Sequence, residues 1–245
     1  MSIFLTLAYL FFVGSVLGWG VELAFRNLKR KQETWINPGF CTGPYLPIYG
    51  FGLCVLYLLA SLEQYSFIAH PVWNKAVLFA AMAVGMTLIE YIAGIFCLKY
   101  LKVRLWDYSN LRGNIQGIIC PLFSFFWAIL GAVYYFFIHP HILDGLNWLS
   151  QNLAFSFFIG LFFGVFIIDV SHSANLIVKL KTFAEENEVI VKYEALKEHI
   201  HKKHQKNKRK YHFFRPFRTD QPLTENLKEM LESLEKYKMK KGKKL

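Results

Sequence analysis

The chain has 245 residues, 54% of them hydrophobic, 18% aromatic and only 18% charged, with a formal net charge of +11. So few charges argue against a soluble domain, and the composition excludes collagen-like, disordered and disulfide-scaffold classes. Residues 1–173 hold 9 Lys/Arg against 7 Asp/Glu, whereas 174–245 hold 19 against 10, so an apolar body precedes a basic tail.

Five segments read as membrane spans, at about 3–25, 48–62, 76–98, 118–138 and 153–170. The first, Ile3–Phe25, rises about 1.5 Å per residue and covers a hydrocarbon core of roughly 30 Å. It ends in Glu22 and Arg26 and no basic segment precedes it, which argues against a cleavable signal peptide. The second span is short unless it is extended. The connection after span 1 carries Arg26, Lys29, Arg30 and Lys31, and that after span 3 carries Lys99, Lys102, Arg104 and Arg112. Between spans 2 and 3 only Lys75 is basic, and between spans 4 and 5 there is no Lys or Arg. The positive-inside rule then predicts a multi-pass cell-membrane protein with its N-terminus outside and its tail cytoplasmic. The fold class is all-α: a transmembrane bundle over 1–173 and a helical basic tail over 174–245. Cys41, Cys54, Cys97 and Cys120 show no C-x-x-C spacing, which argues against a zinc ribbon or a disulfide framework.

The first four spans read as one unit used twice. Each copy has an inward-running helix with a carboxylate near its inner half (Glu22, Glu90) and a loop tryptophan (Trp35, Trp106). Each then has a G-x-x-x-P step (Gly43 to Pro47, Gly117 to Pro121) opening the returning helix, and a His-Pro step (His70-Pro71, His139-Pro140) ending it. Both copies point the same way, as parallel repeats about an axis along the membrane normal.

Carboxylates in apolar spans are costly, so Glu22, Glu90 and Asp169 are candidates for function. Glu22 and Arg26, spaced i,i+4, form a natural ion pair. The two glutamates suit a cation, proton or amine-substrate site at the repeat interface. Alternatively, both are structural groups satisfied by Trp, Tyr and Arg of the loops. Substrate- or ion-binding candidates are Glu22, Arg26, Glu90, Asp107 and Asn114; candidates for docking a partner are Trp35, Trp106, Tyr108, Arg104 and Arg112. Within Trp106-Asp107-Tyr108-Ser109, the rings suit the headgroup level, and Asp107 and Ser109 suit caps of a short helix leading towards Gly117. Asp169 and His172 are either an acid–base pair or a helix-end hydrogen bond. His70, His139 and His141 are placed on the outer face, where they read as helix-terminal polar groups more readily than as metal ligands. No metal or cofactor is assigned.

In the tail, Leu176, Leu180, Phe183, Ile190, Tyr193 and Ile200 continue a helical stripe beyond span 5. The basic run 199–210 and Tyr211-His-Phe-Phe-Arg-Pro-Phe-Arg218 suit anionic lipid, and nucleic acid is disfavoured because no nucleic-acid fold motif accompanies them. Leu223, Leu227, Met230, Leu234 and Tyr237 form a second stripe, suited to docking on a partner or a second copy.

Asn37-Pro-Gly-Phe-Cys-Thr-Gly-Pro-Tyr-Leu-Pro-Ile-Tyr-Gly-Phe-Gly52, Leu88-Ile-Glu-Tyr-Ile-Ala-Gly94, Trp106-Asp-Tyr-Ser109, Asn114, Gly117, Ile119-Cys-Pro and Ser124-Phe-Phe-Trp127 together carry a resemblance. In order and spacing they are similar to the CmpB-like, type IV group of ABC-transporter permeases of Gram-positive bacteria. The sequence departs from that pattern at Ile118, where the family often has Arg, and at Leu98, where it often has an acidic residue. The resemblance implies a membrane subunit of a transport system, permease-like or substrate-binding. No G-x-x-x-x-G-K-[ST] occurs, so an ATPase subunit is expected from another chain. Two alternatives stand: a membrane-embedded enzyme acting on a lipid-like substrate, and a non-catalytic assembly or regulatory protein. Neither a nucleophile–base set nor another catalytic constellation is visible. Five spans are few for a lone permease, so a homodimer or another membrane subunit is expected.

Overall fold

In a bilayer each backbone N–H and C=O must find a partner without water, and apolar runs meet this by folding as helices. The computed structural model describes residues 2–29, 36–65, 70–206, 213–217 and 222–242. Helix α1 covers Ile3–Lys29, α2 Pro47–Ser61, α3 Pro71–Tyr100 and α4 Pro121–Val133. Pro47, Pro71 and Pro121 each stand in a first turn, where no backbone N–H is needed.

A π turn over Tyr134–Ile138 joins α4 to α5, His139–Gln151, and α6 follows over Ser156–Glu186. The sequence reading ended the fourth span before His139 and Pro140; the helix instead continues through them. Pro140 has no N–H, and its ring crowds the preceding turn. The wider turn, in which the His139 N–H donates to Tyr134 O, carries the chain past it. Of the two His-Pro steps, His70-Pro71 opens a helix and His139-Pro140 lies within a continuing one.

Among the described residues, four stretches are long and apolar enough to cross a membrane: Ile3–Asn27, Val72–Tyr100, Pro121–Gln151 and Leu153–Glu186. Helix α2 has 15 residues, about 22 Å, and is shorter than these. Its length follows from where it starts. The Leu46 N–H donates to Ser15 O at 2.9 Å, and Ser15 lies about 18 Å along α1 from Ile3. The connection after α1 therefore returns to the interior of the bundle before α2 begins. Glycine permits the close approach: a Cβ at Gly50 would overlap Ser15 Oγ and come within 2.7 Å of Phe11 O. The connection after α3 behaves likewise, since Trp106 and Ile118 pack against Gly94, well before α3 ends at Tyr100.

Beyond the bundle, α6 runs unbroken to Glu186, so the boundary set at 173/174 falls inside a helix. Strand β1, Val103–Arg104, lies parallel to β2, Val191–Lys192, with Val103 opposite Val191. Helices α7, Tyr193–Lys206, and α8, Leu223–Gly242, complete a cap. Val103, Leu180, Leu196, Ile200 and Leu227 are its fully buried centre, with Phe40 and Leu101 packed on them. The tail stripe thus folds onto the body. Ile190 departs from that stripe and is exposed, because it precedes β2 rather than lying on a helix. Leu227 and Met230 of the second stripe pack into this cap of their own chain; the side chains of Leu234 and Tyr237 lie outside the described residues. Leu196→Ala is expected to cost about 2–5 kcal/mol of cap stability. Amide exchange should then quicken in α7 and α8 and stay unchanged in α3 and α4.

Candidate functional site

Glu22 and Arg26 share one face of α1, and Arg26 Nε donates to Glu22 Oε1 at 2.7 Å. Arg26 Nη1 also donates to Glu194 Oε2 at 2.6 Å, tying the first membrane helix to α7. From α2, the Tyr49 hydroxyl donates to the other oxygen of Glu22 at 3.0 Å. Glu194 accepts in addition from Lys197 Nζ at 3.3 Å. Lys197 is 1% exposed, and its Nζ donates to Asn37 O at 2.9 Å and to Gly39 O at 2.5 Å. Burial alone would raise the Glu194 carboxyl, but Lys197 and Arg26 outweigh it and hold it below its usual range. Lys197 itself is pushed down by burial, with Glu194 offsetting part of that effect. All three of its partners are acceptors, which requires the ammonium form.

The second carboxylate has different company. Glu90 is 4% exposed and accepts from Tyr108 Oη at 2.9 Å and from Trp127 Nε1 at 2.9 Å. Both donors are neutral, and among the described residues no Lys, Arg or His reaches Glu90 within ion-pair distance. The cause lies four residues on. Where Arg26 follows Glu22, Gly94 follows Glu90, and a Cβ there would overlap Ile118 and meet Trp106 at 3.1 Å. The two sites adjoin, because the rings of Tyr49 and Trp127 lie 5.5 Å apart. Tyr108 is held in place by stacking on Phe123 at 4.3 Å.

A third buried carboxylate, Asp169 on α6, holds the connection before α2. It accepts from the N–H groups of Thr42, at 3.0 Å, and Gly43, at 2.8 Å, and from the hydroxyls of Thr42, Tyr45 and Ser173. His172 points elsewhere and is exposed. From the sequence, Asp169 and His172 read as a helix-end hydrogen bond or an acid–base pair; Asp169 is instead engaged by a loop 127 positions away. No local spacing announces such a contact, nor that of Glu194 and Lys197 with the first connection.

The docking candidates turn mostly inward. Trp106 Nε1 donates to Ile118 O at 2.8 Å, and Tyr108 is bound to Glu90 as described. Arg104 Nη1 donates to Asp107 Oδ1 and to Ser109 Oγ, each at 2.9 Å. Arg112 is exposed, and Trp35 lies outside the described residues. No helix forms between Ser109 and Cys120; Asp107 instead accepts from the Ser109 N–H at 3.0 Å and from Lys192 Nζ at 2.6 Å, joining the connection to β2. Asn114 braces the same connection, accepting from the Gly117 N–H at 2.9 Å and donating to Leu111 O at 2.7 Å. Gly117 has φ +68° there, and a Cβ would overlap Arg104. Burial raises the Asp107 carboxyl, but hydrogen bonds from Lys192, Ser109 and Arg104 outweigh it and hold it well below its usual range.

At the far end of the bundle, His139 Nδ1 pairs with the Tyr134 hydroxyl at 2.8 Å, while His70 and His141 are exposed. Among the described residues no three His, Cys, Asp or Glu side chains gather as a metal site.

A family model described as "Putative ABC-transporter type IV" matches residues 9–174. The match takes in all three carboxylates and stops before β2, α7 and α8. Among curated proteins and solved structures, none matches the chain.

Arg26→Ala leaves Glu22 and Glu194 without their shared cation and is expected to cost about 3 kcal/mol. A lower melting temperature in detergent, with faster exchange in α7, is the readout. The depressed Asp107 carboxyl contributes stability above its unfolded-state value of about 4 and loses it as pH falls below that. Exchange in the cap should therefore quicken on acidification, less steeply in Asp107→Asn.

Proposed function

Because the chain belongs to the type IV ABC-transporter family, we propose that it is the permease-like membrane subunit of a transport system whose ATPase is another chain. Glu90 is the observation that carries this reading. It is a buried carboxylate in a membrane helix, bound by two neutral donors and facing no cation among the described residues. Such a group gains most from a cation, and the rings of Tyr108, Trp127 and Tyr49 around it suit an inorganic cation or a protonated amine. Glu22, already neutralised by Arg26, is the neighbouring step of the same path. Asp107 and Asn114 act as positioning residues that brace the connection presenting Tyr108.

Loop charge supports a cell-membrane orientation with the N-terminus outside and the cap cytoplasmic. In support of two parallel repeats, Gly39 at φ +74° and Gly113 at φ +70° stand at matching distances before the helix-opening Pro47 and Pro121. The exposed Arg112 connection and the outer faces of α7 and α8 are where an ATPase or a second copy would dock.

Mild-detergent purification from native membranes is expected to bring along a stoichiometric P-loop ATPase, and a clean preparation without one removes the reading. In the co-purified complex, Glu90→Gln should leave assembly and melting temperature unchanged. Stimulation of ATP turnover by a panel of inorganic cations and primary amines should fall to the unstimulated level. Full stimulation in that variant would exclude Glu90 from the path.

A further inference from the structure

We infer that the turn at 213–217 is a membrane anchor that docks on acidic phospholipid headgroups of the leaflet beside the cap. The depth of this turn is set by α1. With Ile3 set at one edge of a hydrocarbon core of about 30 Å, Trp19, about 24 Å along that helix, lies within about 6 Å of the other edge, where its ring and those packed on it reach the interface. The Phe213 and Phe214 rings lie against it, each with centroids at 6.5 Å, the second stacked. Trp19 is fixed in turn by its Nε1 bond to Asn37 Oδ1 at 2.7 Å.

The other end of the turn is held by the cap. Pro216 is buried, and the Phe217 ring lies 5.2 Å from that of Tyr193, itself 2% exposed. Between these two fixed ends, Phe214 remains 46% exposed and Arg215 is exposed, with no ion pair among the described residues. An exposed aromatic ring at the depth of an interfacial tryptophan, followed by a free guanidinium, matches the layering of a bilayer edge. The ring meets acyl chains, and the guanidinium reaches the phosphate layer. Charge points to the same occupant: residues 199–218 contain eight Lys/Arg and no Asp or Glu. A nucleic acid would satisfy the charge but would leave Phe214 without an apolar partner at that depth.

The test uses the full chain in nanodiscs of phosphatidylcholine alone or mixed with phosphatidylglycerol, followed by hydrogen-exchange mass spectrometry of the peptide spanning 213–217. Exchange should be about tenfold slower with phosphatidylglycerol, and the difference should vanish in about 1 M salt, where screening acts within about 3 Å. Equal exchange in the two discs overturns the inference. So does equal protection by an RNA oligonucleotide in phosphatidylcholine discs. Phe214→Ser combined with Arg215→Gln should abolish the lipid dependence while peptides around Leu196 and Ile200 keep their wild-type rates. Retained lipid dependence in that variant also overturns it. No transport is measured, so the outcome is independent of the permease reading.

Discussion

Non-helical backbone at membrane depth is the constraint on which the rest of this protein depends. The connection before α2, and Trp106 and Ile118 of the one before α4, return into the bundle, where N–H and C=O groups must be paired without bulk water. For the first, Asp169 takes the N–H groups of Thr42 and Gly43, Asn37 Nδ2 donates to Cys41 O and Thr42 O, and Ser15 O takes the Leu46 N–H. Lys197 supplies two more donors, to Asn37 O and Gly39 O. The second connection pairs largely with itself, through Tyr108 N–H to Gly117 O, Ile115 N–H to Ile119 O, and the Asn114 and Trp106 side chains. Asn37, Asn114, Asp169 and Lys197 are thus committed to backbone.

The two glutamates differ in how closely a connection packs on their helices. Glu22 can be followed by a cation at i+4 because α1 is open there, and the cation also reaches Glu194. Glu90 cannot, because the second connection packs so closely on α3 that only glycine fits at position 94. Close packing of a loop has therefore removed the counter-charge of a buried carboxylate.

The cap is bound to α1 by Arg26–Glu194, to the first connection by Lys197, and to the second by β1–β2 and Asp107–Lys192. A single side chain, that of Arg26, thereby links α7 to Glu22.

Much of this was legible in the chain. Apolar run length marked four long spans and one short one, the prolines of the G-x-x-x-P steps marked two helix starts, and the i,i+4 spacing marked the Glu22–Arg26 pair, because each is a local property of a helix. The passage of the helix through Pro140 was not legible, since a π turn leaves no pattern in residue types. Nor were the cage around Asp169, the inward turn of Trp106 and Tyr108, or the folding of the tail onto the body. Those depend on residues more than a hundred positions apart, or on how closely two helices approach. By itself the sequence determined that this is a helical membrane protein with buried carboxylates and a basic tail, because hydropathy and charge act residue by residue. Which carboxylate is neutralised, which holds a loop and which is left without a counter-charge was decided only in the tertiary structure, because pairing within a low-dielectric interior is set by the distances between elements.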